Sequence, residues 1–266
     1  MQADFEQKER YGIEDLLAIM ALLRSENGCP WDRKQTHASI RKNFIEETYE
    51  AVEAIDKDDA VLLREELGDV LLQIVFHAQM EKERGSFDFS DVCDGICKKL
   101  IVRHPHIFGE ESLPDAGAVH DRWEEIKKET KGQKMAAETL AAVPKQLPAL
   151  MRATKVQQRA ERALSGAESL DRTWERVRED ERALLEAQQL ENKEDSAEKL
   201  GNLLFSVVAL ARKSGLEPEE CLSASTEDFI CCFTNTEESL QRDGSFSDFS
   251  YEDLLSLWRN AEQKTR

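Results

Sequence analysis

Four carboxylates between Asn43 and Gln79 have the spacing of a metal site: Glu47 and Glu50, then Glu66 and Asp69. Within each pair the acids stand three residues apart, so a helix carries both on one face. The segment reads as two helices joined by a polar turn at Asp56–Asp59. The first has an apolar stripe of Ile40, Phe44, Ala51 and Ile55, flanked by Glu47 and Glu50, while Glu46 and Glu53 point away from it. The second is apolar almost all round (Leu67, Val70, Leu71, Leu72, Ile74, Val75, Phe76), which predicts burial. Its one narrow polar stripe is Glu66, Asp69, Gln73 and His77. Glu50 and Glu66 lie nearly equal distances before and after the turn, as do Glu47 and Asp69. An antiparallel pair therefore sets Glu50 opposite Glu66 and Glu47 opposite Asp69. Four carboxylates gathered in this way repel one another unless a cation sits among them. All-oxygen ligation favours Mg2+ or Mn2+ over zinc. The plainer reading is a solvated acidic face, since ExxE pairs arise often by chance in Glu-rich helices. Two pairs mirrored about a turn favour the metal site.

These helices must sit in a larger helical body. The chain has 266 residues, 40% hydrophobic and 34% charged, with only 6 Pro and 12 Gly, which points to an all-α protein with room for one large core or two smaller ones. A net charge of −18 argues against stable nucleic-acid binding, which needs clustered Lys and Arg. It leaves room for a small anionic substrate, because a metal and a few local cations can invert the field in one pocket. The cysteines (Cys29, Cys93, Cys97, Cys221, Cys231, Cys232) show no CxxC and no disulfide framework, as expected of reduced thiols. The apolar run Leu16–Leu23 is too short to cross a membrane and follows acids rather than a basic stretch, so a cytoplasmic location is expected.

Along the chain, Ile13–Leu23 has helical periodicity and should pack on the acid-bearing pair. Asn27–His37 reads as a loop broken by Gly28 and Pro30. Ser90 is placed to cap a helix through about Val102, and Pro105 ends it at His104. A further helix spans Val119–Thr130 with Trp123 and Lys127. Lys131–Lys134 and Val143–Pro148 read as an interdomain connection. Beyond them the pattern recurs: Glu66-Leu-Gly-Asp69 returns as Lys199-Leu-Gly-Asn202, 133 residues on, and Leu147–Val156 is similar to Ile13–Leu23. Trp258 stands where Trp123 stands in the first half. The expectation is a tandem repeat, with residues 1–135 carrying an intact acidic site and residues 136–266 a degenerate one. At the same offset Glu47 becomes Asp180, Glu50 becomes Ala183, Glu66 becomes Lys199 and Asp69 becomes Asn202.

Glu46-Glu47-Thr-Tyr-Glu50, fifteen further residues, then Glu66-Leu-Gly-Asp69 resembles the EExxE…ExxD pattern of the MazG family of nucleoside triphosphate pyrophosphohydrolases, in its two-repeat bacterial form. The resemblance extends through Gly28-Cys-Pro-Trp-Asp32, Gln35-Thr-His37, the run from Lys99 to Phe108, Trp123-Glu-Glu-Ile-Lys127 and Leu147-Pro-Ala-Leu-Met-Arg152. It implies an all-α, four-helix-type fold working as a homodimer. It also implies cleavage of nucleoside triphosphates between the α and β phosphates, giving a monophosphate and pyrophosphate, in nucleotide-pool house-cleaning. On that resemblance Glu47, Glu50, Glu66 and Asp69 are catalytic metal ligands for Mg2+ or Mn2+, and Lys99, Arg103, Trp123 and Lys127 are substrate contacts. Glu47 is the chosen acceptor for the proton of the attacking water. Trp123 is open to either base stacking or core packing, Trp31 to packing, and His104 with His106 to helix termination. Gln73 and His77 share the acid stripe and could support the ligands. The second half departs from the family pattern. Lys99, Arg103 and Lys127 correspond there to Asp228, Cys232 and Glu262, so its cations are lost with its acids. A non-catalytic nucleotide sensor or scaffold is the alternative reading. A di-iron bundle would need Glu-x-x-His pairs, and the chain has none.

Overall fold

The computed structural model describes residues 5–130, 135–164 and 168–240, with 250 and 252. Trp258 and Glu262 lie outside the described residues. No strand occurs among the described residues, and the fold is all-α. The chain divides into two compact units at Thr130/Lys131.

The N-terminal unit holds α1 (Ile13–Arg24), α2 (Pro30–Lys34), α3 (Arg41–Asp56), α4 (Ala60–Arg84), α5 (Phe89–Arg103), α6 (Pro105–Phe108) and α7 (Ala116–Thr130). Helices α3 and α4 form its antiparallel centre, with α1 and α5 packed on α4 and α7 on α5. Asp58 turns the chain between α3 and α4 with a left-handed φ of 51°, and Asp59 caps α4 by accepting from the amides of Val61 and Leu62. Such a cap is worth about 1 kcal/mol. Gly85, at φ 70°, ends α4 in the left-handed conformation that glycine adopts without strain. The core cluster is Met20, Ile40, Val75, Phe76 and Met80, with Leu16, Leu17, Leu71, Leu72 and Phe89 against it.

Several sequence expectations change. Residues 30–34 form a one-turn helix instead of loop, because Pro30 occupies its first position, where a proline is preorganised for helix. Asp88, not Ser90, caps α5, with Asp91 completing a reciprocal capping box. Helix α4 is buried only in its C-terminal half, at Gln73, Val75, Phe76, Ala78 and Met80, while Leu67 remains 54% exposed. On α3 the buried positions are Ala51 and Ala54, with Ile55 60% exposed. Periodicity marks a face as apolar, but it does not say whether this chain covers it. Trp31, expected to pack, is 59% exposed on the short α2.

A polar tie adds to the apolar packing of α1 on α4. Arg24 grips Glu83 through two bonds, Nε to Oε1 at 2.8 Å and Nη2 to Oε2 at 2.7 Å. Its guanidinium also donates to the Asp32 carbonyl at 2.5 Å and lies 5.3 Å from the Phe76 ring centre. One arginine thus fastens α1 and the residues around α2 to the end of α4.

The C-terminal unit holds α8 (Ala136–Ala141), α9 (Ala149–Ala163), α10 (Leu170–Gln189), α11 (Lys193–Lys213) and α12 (Pro218–Leu240). Its centre is the α10–α11 pair. Local details return there at the offset of 133. Glu191 has φ 53° where Asp58 has 51°, and Asn192 caps α11 where Asp59 caps α4. Here too one arginine joins two helices: Arg212 of α11 binds Glu161 of α9 at 2.6 Å.

Candidate metal and substrate site

Glu47 lies on α3, and Glu66 and Asp69 lie on α4 one turn apart. Their carboxylate oxygens fall within 4.8 Å of one another, and all three side chains are half-buried. Among the described residues no other group of three His, Cys, Asp or Glu meets at ligand spacing. Glu50 is more exposed and stands at the edge of this trio, close enough for its charge to act on Glu47 and Glu66.

The electrostatics follow the pairing across the turn. Burial raises the Glu47 carboxyl above its usual value, and among charges Asp69 adds most, followed by Glu50 and Glu66. Burial likewise raises Glu66, with Glu50 the largest charge acting on it and Asp69 next. After burial, the largest push on Glu47 and on Glu66 comes from the acid facing it, because like charges disfavour ionisation nearby. A divalent cation would reverse this, and hard carboxylate oxygens suit Mg2+ or Mn2+.

The polar stripe of α4 continues past the acids. Gln73 is buried one turn beyond Asp69, and His77 follows one turn later. His77 stacks on His37 from the segment between α2 and α3, with ring centres 4.9 Å apart and planes at 4°. Their Nδ1 atoms are 2.7 Å apart, and His37 Nε2 lies 2.6 Å from Glu81 Oε1. An ionised Glu81 accepts from His37 Nε2–H, leaving His37 Nδ1 to accept from His77 Nδ1–H when both rings are neutral. The His37 hydrogen bond is the main reason the Glu81 carboxyl is lowered. Burial first, then His37, lowers the imidazole of His77. Sequence reasoning placed His77 on the stripe and missed His37 and Glu81. The spacing of Gln73, His77 and Glu81 carried the only available signal, since the His37 contact spans forty residues.

The expected substrate residues gather on α5 and α7. Lys99 and Arg103 lie one turn apart on α5, with Lys99 exposed. The Arg103 guanidinium sits 4.8 Å from the centre of the Trp123 ring on α7, a cation–π contact. Trp123 is half-buried, with its ring next to an arginine and not within the core cluster. Lys127 falls within α7, and its side chain lies outside the described residues. His104 fits the helix-terminating reading, its Nδ1 lying 2.6 Å from the Leu100 carbonyl.

In the C-terminal unit the corresponding positions hold different contacts. Asp180 accepts from the Ser206 hydroxyl at 2.5 Å, and Lys199 pairs with Glu198 at 3.2 Å and Asp195 at 3.4 Å on its own helix.

Comparison with known proteins follows the same lines. The family model described as the MazG nucleotide pyrophosphohydrolase domain matches residues 35–108, which include the four acids, Lys99 and Arg103. A Thermotoga maritima protein, named nucleoside triphosphate pyrophosphohydrolase/pyrophosphatase MazG, is 39% identical over 251 residues, 94% of this chain and 95% of its own length. An Escherichia coli nucleoside triphosphate pyrophosphohydrolase is 40% identical over 256 residues, 95% of this chain and 97% of its own. A Mycobacterium tuberculosis protein of the same name is 38% identical over 165 residues, 60% of this chain and 47% of its own. With two relatives matched over nearly their whole length and the family model lying across the acid-bearing helices, the chain belongs to the MazG nucleotide pyrophosphohydrolase family.

Proposed function

We propose that this protein hydrolyses nucleoside triphosphates to a monophosphate and pyrophosphate with a divalent metal ion, Mg2+ or Mn2+, using its N-terminal unit. The observation that carries this reading is the meeting of Glu47, Glu66 and Asp69 within 4.8 Å, with Glu50 at the edge, on the helices that the family model spans. The names of the full-length relatives supply the substrate class. Glu47, Glu50, Glu66 and Asp69 would hold the metal, whose chemistry is to neutralise the triphosphate and polarise the reacting phosphorus. Lys99 and Arg103 meet the phosphate charge from one face of α5. Trp123 steadies the Arg103 guanidinium and offers an aromatic surface to the base, and Lys127 on α7 is assigned to the same pocket. Glu47 is assigned as the acceptor for the proton of the attacking water.

The C-terminal unit is assigned a supporting role as a degenerate repeat. Its counterpart of Glu47 is engaged by Ser206, and Lys199 stands in place of Glu66. The protein is assigned to the cytoplasm as a homodimer, with no stable nucleic-acid partner. No helix among the described residues is long and apolar enough to cross a membrane.

The test is purified protein with a panel of nucleoside triphosphates and Mg2+, scoring pyrophosphate and monophosphate together. Turnover is expected, with Glu50→Gln reducing it at least about 100-fold and Lys199→Ala changing it less than about twofold. The opposite pattern would move the active site to the C-terminal unit. No release at high protein concentration would favour a nucleotide sensor.

A further inference from the structure

His37 and His77 meet outside the acid cluster, in a contact whose survival depends on how many protons it holds. Their Nδ1 atoms are 2.7 Å apart, and the other nitrogen of His37, Nε2, lies 2.6 Å from Glu81 Oε1. At that distance one proton fits between the two Nδ1 atoms, since a donor must meet an acceptor. With both rings neutral, His77 Nδ1–H donates to His37. With one proton added, His37 carries hydrogens on both nitrogens. It then donates to His77 Nδ1 while keeping its bond to Glu81, and His77 holds its own hydrogen on Nε2. The contact survives with its direction reversed. A second added proton sets N–H against N–H, with two like charges and no lone pair between them, and the contact is lost.

The surroundings leave the pair to carry its own charge. Glu81 Oε1 is shared with Arg84 at 2.8 Å. From α3 the ring of Phe44 lies against His77, with centres 5.8 Å apart. Charged groups on the elements packed around α4 have partners of their own: Arg24 of α1 with Glu83, Lys42 of α3 with Glu46, and Asp88 with Asp91 in the cap of α5. The charge that acts on His77 is that of His37. Both rings are half-buried, so protons reach them from solvent. The contact ties the segment between α2 and α3 to α4. A second anchor of that segment is Ile40, 2% exposed in the core with Val75 and Phe76, and α3 with Glu47 begins at the next residue. We propose that His37 and His77 form a pH-sensitive latch, closed with at most one added proton and open with two, that holds this segment on α4. Burial first, then His37, lowers the imidazole of His77. A group lowered on folding resists the charged form. The stabilisation is therefore full above the ordinary histidine value of about 6.5 and is lost as pH falls below it. Glu81, whose carboxyl is lowered, stays ionised while this happens.

The test uses the full metal-free chain and needs no turnover. The chain has 5 histidines, so ring nitrogens labelled with 15N can be followed one by one from about pH 8 to pH 5. The two rings should titrate in separate steps at least about one pH unit apart, as coupled sites do. In His37→Gln the remaining His77 should titrate in a single step closer to the ordinary histidine value. Rings that titrate together at one midpoint, with His77 unaltered by loss of His37, would overturn the coupling. Hydrogen exchange at the Ser39 and Ile40 amides, both bonded to the Thr36 carbonyl, reads the latch itself. After correction for intrinsic rates, their protection in wild type should fall at least about tenfold between pH 7.5 and pH 5, while Val75 keeps its own. In His37→Gln it should be low at both pH values. Unchanged protection at Ser39 and Ile40 in wild type would overturn the latch, and so would a parallel fall at Val75, which would make the loss global.

Discussion

Individual residues of the acid cluster are set against folding in the absence of metal. Glu47 and Glu66 both hold their protons more tightly than a free carboxyl, because burial and facing acids disfavour the charge. A group raised on folding stabilises the fold below its unfolded pKa, and that contribution is lost as pH rises through the folded value. At neutral pH the ionised cluster is therefore a burden on the metal-free protein, which a divalent cation lifts. Metal-free Glu47→Gln and Glu66→Gln should melt higher than wild type by a few degrees and lose most of the Mg2+-induced rise in melting temperature. In wild type that rise should be larger at about pH 7.5 than at about pH 5, because acidification protonates the raised carboxyls before free ones. Scanning calorimetry with and without Mg2+ at the two pH values measures both effects. Equal Mg2+ shifts in wild type and Glu66→Gln would remove Glu66 from the ligand set. At this scale the sequence was informative. Helical angles separated Glu47 and Glu50 from Glu46 and Glu53, and the symmetry of the turn paired Glu47 with Asp69 and Glu66 with Glu50, the charges that act most strongly on them. The exposure of Glu50 was not legible, because the period of a helix does not report how deeply its edge is sunk.

Between elements, the decisive contacts lie in the segments that sequence reading treated as loop. Gly28 closes the turn after α1: its amide donates to Ser25 O at 2.9 Å, and the next amide, Cys29, donates to Leu23 O at 2.7 Å. A β-carbon at Gly28 would stand 2.2 Å from the Leu23 carbonyl oxygen and 2.4 Å from that of Leu22, and neither is a flexible side chain that could yield. Gly28→Ala should thus cost on the order of 2–4 kcal/mol, by the strain and displacement it forces on the backbone. It should also loosen the Arg24 contact with the Asp32 carbonyl, since α2 follows directly. Thermal or urea denaturation provides the check, and a change below about 0.5 kcal/mol would mean that the turn relaxes freely. Gly28 was readable as a breaker, but the reason only glycine fits was not, because it depends on how closely the chain returns over α1. The Arg24–Glu83 grip and the His37–His77–Glu81 cluster were hidden for a related reason: their members lie dozens of residues apart, and no periodicity joins them.

At the scale of the whole molecule, the N-terminal unit has more apolar surface on its central helices than its own core covers. Tyr49, Val52 and Ile55 on α3, and Val61 and Leu67 on α4, are all exposed, beside the acids whose stripe was expected to be buried. The apolar run of α4 signalled burial correctly as a tendency, and the part of the helix that the N-terminal unit's own core leaves open is the part before Gln73. Apolar residues concentrated on two adjacent helices are the usual mark of an interface, where a partner removes them from water. A second copy of this chain is the occupant that the homodimer assignment requires, and it would also bury the rim of the acid cluster and strengthen its electrostatics. Leu67→Glu tests this, because Leu67 is 54% exposed and its replacement costs the isolated unit little core packing. The expected outcome is a shift in sedimentation equilibrium from dimer to monomer, with retained helical circular dichroism and a fall in turnover of at least about tenfold. A monomeric wild type at micromolar concentration, or a Leu67→Glu variant that stays dimeric and fully active, would place the interface elsewhere and leave this face without its partner.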